Sequence, residues 1–191
     1  QKLSHLEQTI KKNRSIKKID ALYDDMMTEK AIEMIKDWKE EPFFMQLSFV
    51  SPHVPVISKN EHPQCSHIKS TTRRHYCENM QELDERVRLV HDTLEAEGMT
   101  ENTMIWFLSD NGGHPFCGGF NYPLRGSKLT LYEGGVRVPS FLWGGGLPDF
   151  TFDANIHAVD VGKTIHGLLV TLSYFFVLLE ENREMIFYSK V

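Results

Sequence analysis

An α/β domain built on a mostly parallel sheet is the architecture this sequence predicts, and three observations point to it. Two short runs, Phe43–Val50 (FFMQLSFV) and Thr103–Leu108 (TMIWFL), are rich in aromatic and β-branched residues, as strands buried on both faces are. Between them Met80, Leu83, Val87, Val90 and Leu94 recur at helical spacing, which is the pattern of an amphipathic helix. Each apolar run then ends in loop-forming residues: Ser51-Pro52-His53-Val54-Pro55 after the first, Ser109-Asp110-Asn111-Gly112-Gly113 after the second. Strand, helix, strand at this spacing is the mark of a parallel α/β sheet.

The elements follow in order along the chain. Residues 1–19 are polar and weakly periodic. Tyr23, Met27, Ala31, Ile35 and Trp38 then fall on one helical face, and Pro42 stops that helix. Pro52 and Pro55 forbid helix and inner strand alike, so His53 is expected on a loop just past a strand end. Residues 56–76 show no period and are expected to form a surface loop. Gly98 suits the C-terminal stop of the amphipathic helix. Val136–Trp143 (VRVPSFLW) is a third strand candidate, placed by Pro139 at an edge or a bulge. The apolar run Leu168–Leu179 falls short of the roughly 20 residues of a membrane span, and Glu180, Glu181, Arg183 and Glu184 follow at once, so a buried helix or strand is expected.

Composition narrows the function classes. The 191 residues are 41% hydrophobic and 25% charged, an ordinary globular balance. The net charge is -5, and the basic residues gather only in the short stretch Lys11–Lys18, so there is no footprint for nucleic acid. Cys65, Cys77 and Cys117 are odd in number at unremarkable spacings and do not read as a disulfide framework. No signal peptide is visible, and Asn13-Arg14-Ser15 is a glycosylation sequon that has meaning only in a secretory protein.

Ligands of parallel α/β sheets bind beyond the carboxyl ends of the strands. His53 stands at one such end, Asp110 with Asn111 at another. A carboxylate beside an amide carbonyl suits a hard divalent cation, Ca²⁺ or Mg²⁺; an Asn-Gly turn with Asp110 as its local cap is the competing reading. Downstream, Asn121–Arg137 concentrates glycines and charges. Lys128 can offer an ammonium to a tetrahedral anion, and Arg125 and Arg137 can either do the same or brace the loop by pairing with Glu133. His62, Cys65, His67, His75 and Cys77 are zinc-capable, but their spacing matches no common zinc arrangement, and a solvated loop is expected.

The strings FFMQLSFVSPHVP, LSDNGG and PLRGSKLTLYEGGVRVP, with Ile156-His157 later, resemble the arylsulfatases, especially the arylsulfatase B-like group, in order from about Ile19 to Leu169. The resemblance implies an alkaline-phosphatase-like α/β sandwich, incomplete in this chain. It implies that Asp110 and Asn111 bind the Ca²⁺ or Mg²⁺ ion, that His53 and Lys128 are catalytic and contact the sulfate group, and that the substrate is a sulfated small molecule or sugar sulfate. It also implies a lysosomal or extracellular address.

The departures are specific. The family's formylglycine is made from the Cys of a C-x-[PA]-S-R motif. Cys65 is followed by Ser-His-Ile-Lys, Cys77 by Glu-Asn-Met-Gln and Cys117 by Gly-Gly-Phe-Asn, so none qualifies. The resemblance puts the nucleophile and the acidic metal ligands ahead of Gln1. Residues 1–169 are expected to be the C-terminal portion of the main catalytic domain, and 170–191 a divergent apolar tail. Metal-assisted sulfate ester hydrolysis is the activity expected of the complete enzyme, the chain alone being inactive. The alternatives are a catalytically dead sulfatase-like binding protein and a phosphate ester hydrolase of the same superfamily.

Overall fold

A computed structural model describes residues 16–149, 151–169 and 174–180. Helix α1 is Ile16–Trp38, strand β1 Phe43–Phe49, helix α2 Thr71–Ala96, strand β2 Thr103–Ser109, the single helical turn α3 Glu133–Val136, strand β3 Ser140–Gly144, helix α4 Ala158–Leu169 and strand β4 Tyr174–Glu180. Among the described residues the sheet has the order β1-β4-β2-β3. β4 runs parallel to both β1 and β2, and β3 pairs antiparallel with β2. The predicted parallel relation of β1 and β2 therefore holds, with β4 between them.

Side-chain alternation along the strands builds two cores. Phe43, Met45, Leu47 and Phe49 of β1 and Ile105 of β2 pack with Met27, Ala31, Met34 and Ile35 of α1 and with Leu83, Val90 and Leu94 of α2. Met104 and Trp106 face the other way, against Phe44, Leu142, Val161 and Ile165. The sheet is thus sandwiched between α1–α2 and α4, and β1 and β2 pack on both faces, as their lack of polar alternation predicts, while the edge strand β3 is partly exposed. Val90, Leu94 and Ile35 are fully shielded; truncating Leu94 or Ile35 to Ala would cost about 2–5 kcal/mol.

Helix α2 ends as Gly98 predicts. Gly98 adopts φ +69, its N–H donates to Glu95 O and the Met99 N–H to Leu94 O, which satisfies the last carbonyls of the helix.

Several expectations need correction. α2 begins at Thr71, inside the expected loop; its first turns face solvent, so TTRRHY carries no apolar period. Tyr23, expected on the buried face of α1, is 41% exposed, while its neighbour Asp24 is completely buried because backbone N–H groups of the loop after β1 hydrogen-bond to it. Cys65 and Cys77 form a disulfide, so the zinc-capable group loses both thiols. A short 3-10 turn at Pro63–Cys65 brings the two cysteines together, a proximity that their spacing does not reveal. Of the third strand candidate Val136–Trp143, only residues 140–143 are in the sheet, within the edge strand Ser140–Gly144, while Val136 ends the helical turn α3. The apolar run Leu168–Leu179, expected to be a buried helix or strand, contributes to β4 at the centre of the sheet. Tyr174–Glu180 is paired along its whole length with β1 on one side and β2 on the other. No helix among the described residues is long and apolar enough to cross a membrane.

Candidate functional site

The register of the parallel strands places two loops side by side. Phe49 of β1 and Ser109 of β2 both align with Glu180 of β4, so the chain leaves β1 and β2 at the same level of the same edge. The loops beyond, with the segment up to Pro139, enclose a cleft of about 320 Å³. His53, Asp110, Asn111 and Lys128 all line it. The four residues singled out in the sequence, from three separate segments, thus share one cavity.

His53 is turned by its own backbone, whose N–H donates to Val50 O at 2.8 Å. Its Nδ1 lies 2.8 Å from the Val54 carbonyl, which can only accept, so the ring proton sits on Nδ1.

The second wall is built backbone against backbone. Gly112 donates its N–H to Gly135 O at 2.9 Å, and a Cβ on Gly112 would come within 1.9 Å of Gly134 O. The Gly-Gly pair of SDNGG and that of EGG are therefore one interlocked unit. Asn121 fastens it further: its Oδ1 accepts from Gly113 N and its Nδ2 donates to Gly113 O, both at 2.8 Å, and to Gly126 O at 3.3 Å. The Lys128 N–H donates to the same Gly113 carbonyl at 3.3 Å. The sequence strings are thus mutual backbone supports, which hold Asn111 and Lys128 on the lining of one cleft.

The two arginines divide. Arg137 lines the cleft and pairs with Glu133 at 3.4 Å, as one of its two readings expects. Arg125 does not meet Glu133; its guanidinium stacks over the Tyr132 ring at 4.0 Å and donates to the Tyr132 hydroxyl.

The electrostatics bear on a metal. Although Asp110 is open to solvent on one side, burial against the cleft wall pushes its carboxyl above the usual range. The Asn111 backbone N–H and the Lys128 ammonium oppose that shift without overcoming it. A carboxylate left under-compensated in this way gains from a further cation, and Asn111 adds a neutral oxygen beside it. The donors present fit Ca²⁺ or Mg²⁺ in kind, and as two protein oxygens they are a part of the six to eight that Ca²⁺ takes. A second group, His91, Asp92 and Glu95 on α2, could also converge on an ion, but it lies outside the cleft lining and has other partners: His91 packs on Trp143 at 4.5 Å and Asp92 pairs with Arg88 at 3.3 Å.

Sequence reasoning missed three contributors. Asn121 was legible only as part of a string. Asp24 is hidden in a helical period that marks its neighbour instead. His114 lines the cleft, and its Nδ1 is buried without a hydrogen-bond partner among the described residues; nothing but adjacency to SDNGG signals it.

The family model described as Sulfatase matches residues 2–171. Arylsulfatase H of Homo sapiens is 35% identical over 127 residues, covering 62% of this chain and 22% of its own length. Arylsulfatase J of Mus musculus is 32% identical, with 64% of this chain and 21% of its own length covered. An arylsulfatase of Hemicentrotus pulcherrimus is 33% identical over 148 residues, 75% of this chain and 26% of its own length. The chain thus spans between a fifth and about a quarter of the length of these relatives. Among solved structures, the crystal structure of Ps i-CgsB superposes with a TM-score of 0.60 at 31% identity, covering 64% of this chain and 28% of that one. The same protein has been solved in complex with k-i-k-neocarrahexaose.

Proposed function

This chain belongs to the sulfatase family, and from that premise we propose that the complete protein hydrolyses sulfate esters, with this chain forming one wall of the active site. The observation that carries the reading is the meeting of His53, Lys128, Asp110 and Asn111 in one cleft at the strand ends. Lys128 would hold a sulfate oxygen through its ammonium. His53, with Nδ1 donating to the Val54 carbonyl, would present Nε2 to the ester and, with a second proton on Nε2, would give that proton to the leaving oxygen. Asp110 and Asn111 would hold Ca²⁺ or Mg²⁺, which supplies Lewis-acid stabilisation of charge on the sulfate oxygens. The relatives' printed names and the oligosaccharide complex of Ps i-CgsB support a sulfated small molecule or sugar sulfate as substrate.

None of the three cysteines lies in a C-x-[PA]-S-R motif, and two of them are consumed in a disulfide. In the proposed complete enzyme the formylglycine nucleophile would therefore come from a part of the protein other than these 191 residues. Losing a covalent nucleophile costs on the order of 10⁶ in turnover, so the chain by itself is proposed to be inactive. Residues 1–169 would be the C-terminal portion of the main catalytic domain, with β4 completing its sheet. The Cys65–Cys77 bridge supports a lysosomal or extracellular address, because disulfides persist in oxidising compartments.

The test is reconstitution. The full chain is titrated with inorganic sulfate, then combined with the N-terminal part of a sulfatase from a close relative and assayed on 4-nitrophenyl sulfate and 4-nitrophenyl phosphate. Sulfate binding by the chain, turnover of the sulfate ester only after reconstitution, and loss of both in Lys128→Ala are the expected results. Turnover of the phosphate ester alone would assign the protein to the phosphatase-type reading. Sulfate binding with no turnover after reconstitution would assign it to a binding role.

A further inference from the structure

We propose that Asp24 of α1 and Arg86 of α2, acting through Ser51, are positioning residues for His53. This rests on the reading of His53 as a sulfate-contacting group.

The loop at 50–60 is held by a line of buried polar side chains rather than by apolar packing. Asp24 is completely buried, and its carboxylate accepts from Val50 N at 2.8 Å, Ser51 N at 3.0 Å and Ser51 Oγ at 2.5 Å. Arg86, itself only 4% exposed, donates to Ser51 Oγ at 3.4 Å and to Asp25 at 3.0 Å, and it faces Asp24 at 3.8 Å and Glu82 at 3.6 Å. Further along the same helix, Glu82 accepts from the backbone N–H groups of Lys59 and Asn60, Asn79 donates to Ile57 O, and Glu78 accepts from the Ser58 hydroxyl. Glu78, Asn79, Glu82 and Arg86 are all buried, and every one reaches the loop.

Both limbs of the loop are thereby tied to two helices, and His53 stands between the tie points, two residues past Ser51. Stability alone does not account for so many buried charges. Desolvating ions costs about as much as their mutual attraction returns, and apolar residues of the same volume would hold the helices together as well. What directional bonds supply in addition is a fixed backbone path, and hence a fixed place for the imidazole facing the cleft. A displacement of about 1 Å at such a group can lower function a hundredfold.

The experiment uses the full 191-residue chain. Histidine ring signals are followed by NMR, with His53 assigned through His53→Gln, in the presence and absence of inorganic sulfate, and each variant is also melted. Ser51→Ala removes one hydroxyl from the hub; Ser51→Thr restores a hydroxyl there; Asp24→Asn removes the charge while keeping the shape. The expected result is that Ser51→Ala and Asp24→Asn shift the His53 ring signals and weaken sulfate binding about tenfold or more, and that Ser51→Thr returns both toward the parent. A lowered melting temperature with unchanged His53 signals and unchanged sulfate affinity would overturn the proposal and leave the hub a purely structural element. If sulfate fails to perturb His53 even in the parent while Ser51→Ala still moves the ring, the positioning role stands and the sulfate reading falls. If sulfate perturbs His53 equally in all variants, the reading stands and the positioning role falls.

Discussion

Replacing Gly112 by alanine puts a methyl carbon where backbone already stands. The added Cβ would lie 1.9 Å from Gly134 O and 2.8 Å from Gly134 C. An ordinary carbon–oxygen contact is about 3.3 Å, so one strand of the interlocked loops must retreat by somewhat more than about 1 Å. That movement breaks the Gly112 N–H to Gly135 O hydrogen bond, a loss of about 1 kcal/mol, and overpacking adds about 1–3 kcal/mol. For a chain of this size the sum lowers the melting temperature by on the order of 10 °C. The same movement displaces the neighbouring Asn111 from its place in the cleft lining, so sulfate and divalent-ion affinities should fall with stability. Gly162 is the control: it lies within helix α4, and a Cβ there meets nothing within 4 Å. Gly162→Ala should therefore stabilise the chain by about 0.5–1 kcal/mol. Thermal and urea melts of the two variants, with calorimetric titration of sulfate, decide the matter. If Gly112→Ala melts with the parent and binds sulfate normally, the close approach of the two glycine pairs is wrong.

The remaining expectations are shorter. Cys65→Ala/Cys77→Ala, or reduction of the bridge, releases a loop closed over a separation of 12 residues; the expected loss is about 3 kcal/mol in a urea melt, and an unchanged midpoint under reductant would count against the bridge. Truncation after Leu169 removes β4 and with it every backbone bond joining β1 to β2, so the cooperative transition should vanish by circular dichroism and calorimetry; a truncated chain that still unfolds cooperatively would refute the central place of β4. On the proposed reading, Ca²⁺ titrated into the chain alone should bind weakly, since Asp110 and Asn111 would supply a fraction of a full oxygen shell, and reconstitution with the N-terminal part of a relative should tighten binding by orders of magnitude in a manner that Asp110→Ala abolishes. Micromolar Ca²⁺ affinity that survives Asp110→Ala would put the ion elsewhere.

How far these residues could be read in advance depends on what kind of interaction holds each one. Asp110, Asn111 and Lys128 sit in local strings whose glycines and polar groups have few other uses, and His53 follows a strand between two prolines, so residue type and position relative to a strand end sufficed to mark them. Asp24 and Arg86 looked like ordinary charged positions of amphipathic helices, because what buries them is a loop contributed by residues 50–60. The partnership of Cys65 with Cys77 was invisible for the same reason: an odd set of cysteines at an unremarkable spacing becomes a bridge only when the turn at Pro63–Cys65 lies against α2.

By itself, then, the sequence determined the strand cores, the α/β class, the end of α2 at Gly98 and the polar residues that line the cleft, since all of these follow from local period, backbone conformation and side-chain chemistry. Tertiary structure alone decided that Tyr174–Glu180 lies between β1 and β2, that β3 runs antiparallel at the edge, and that the two glycine pairs interlock. Those choices rest on hydrogen bonds and contacts between segments far apart in the chain, and a buried apolar strand carries no mark of which neighbours it will pair with until its backbone groups find them.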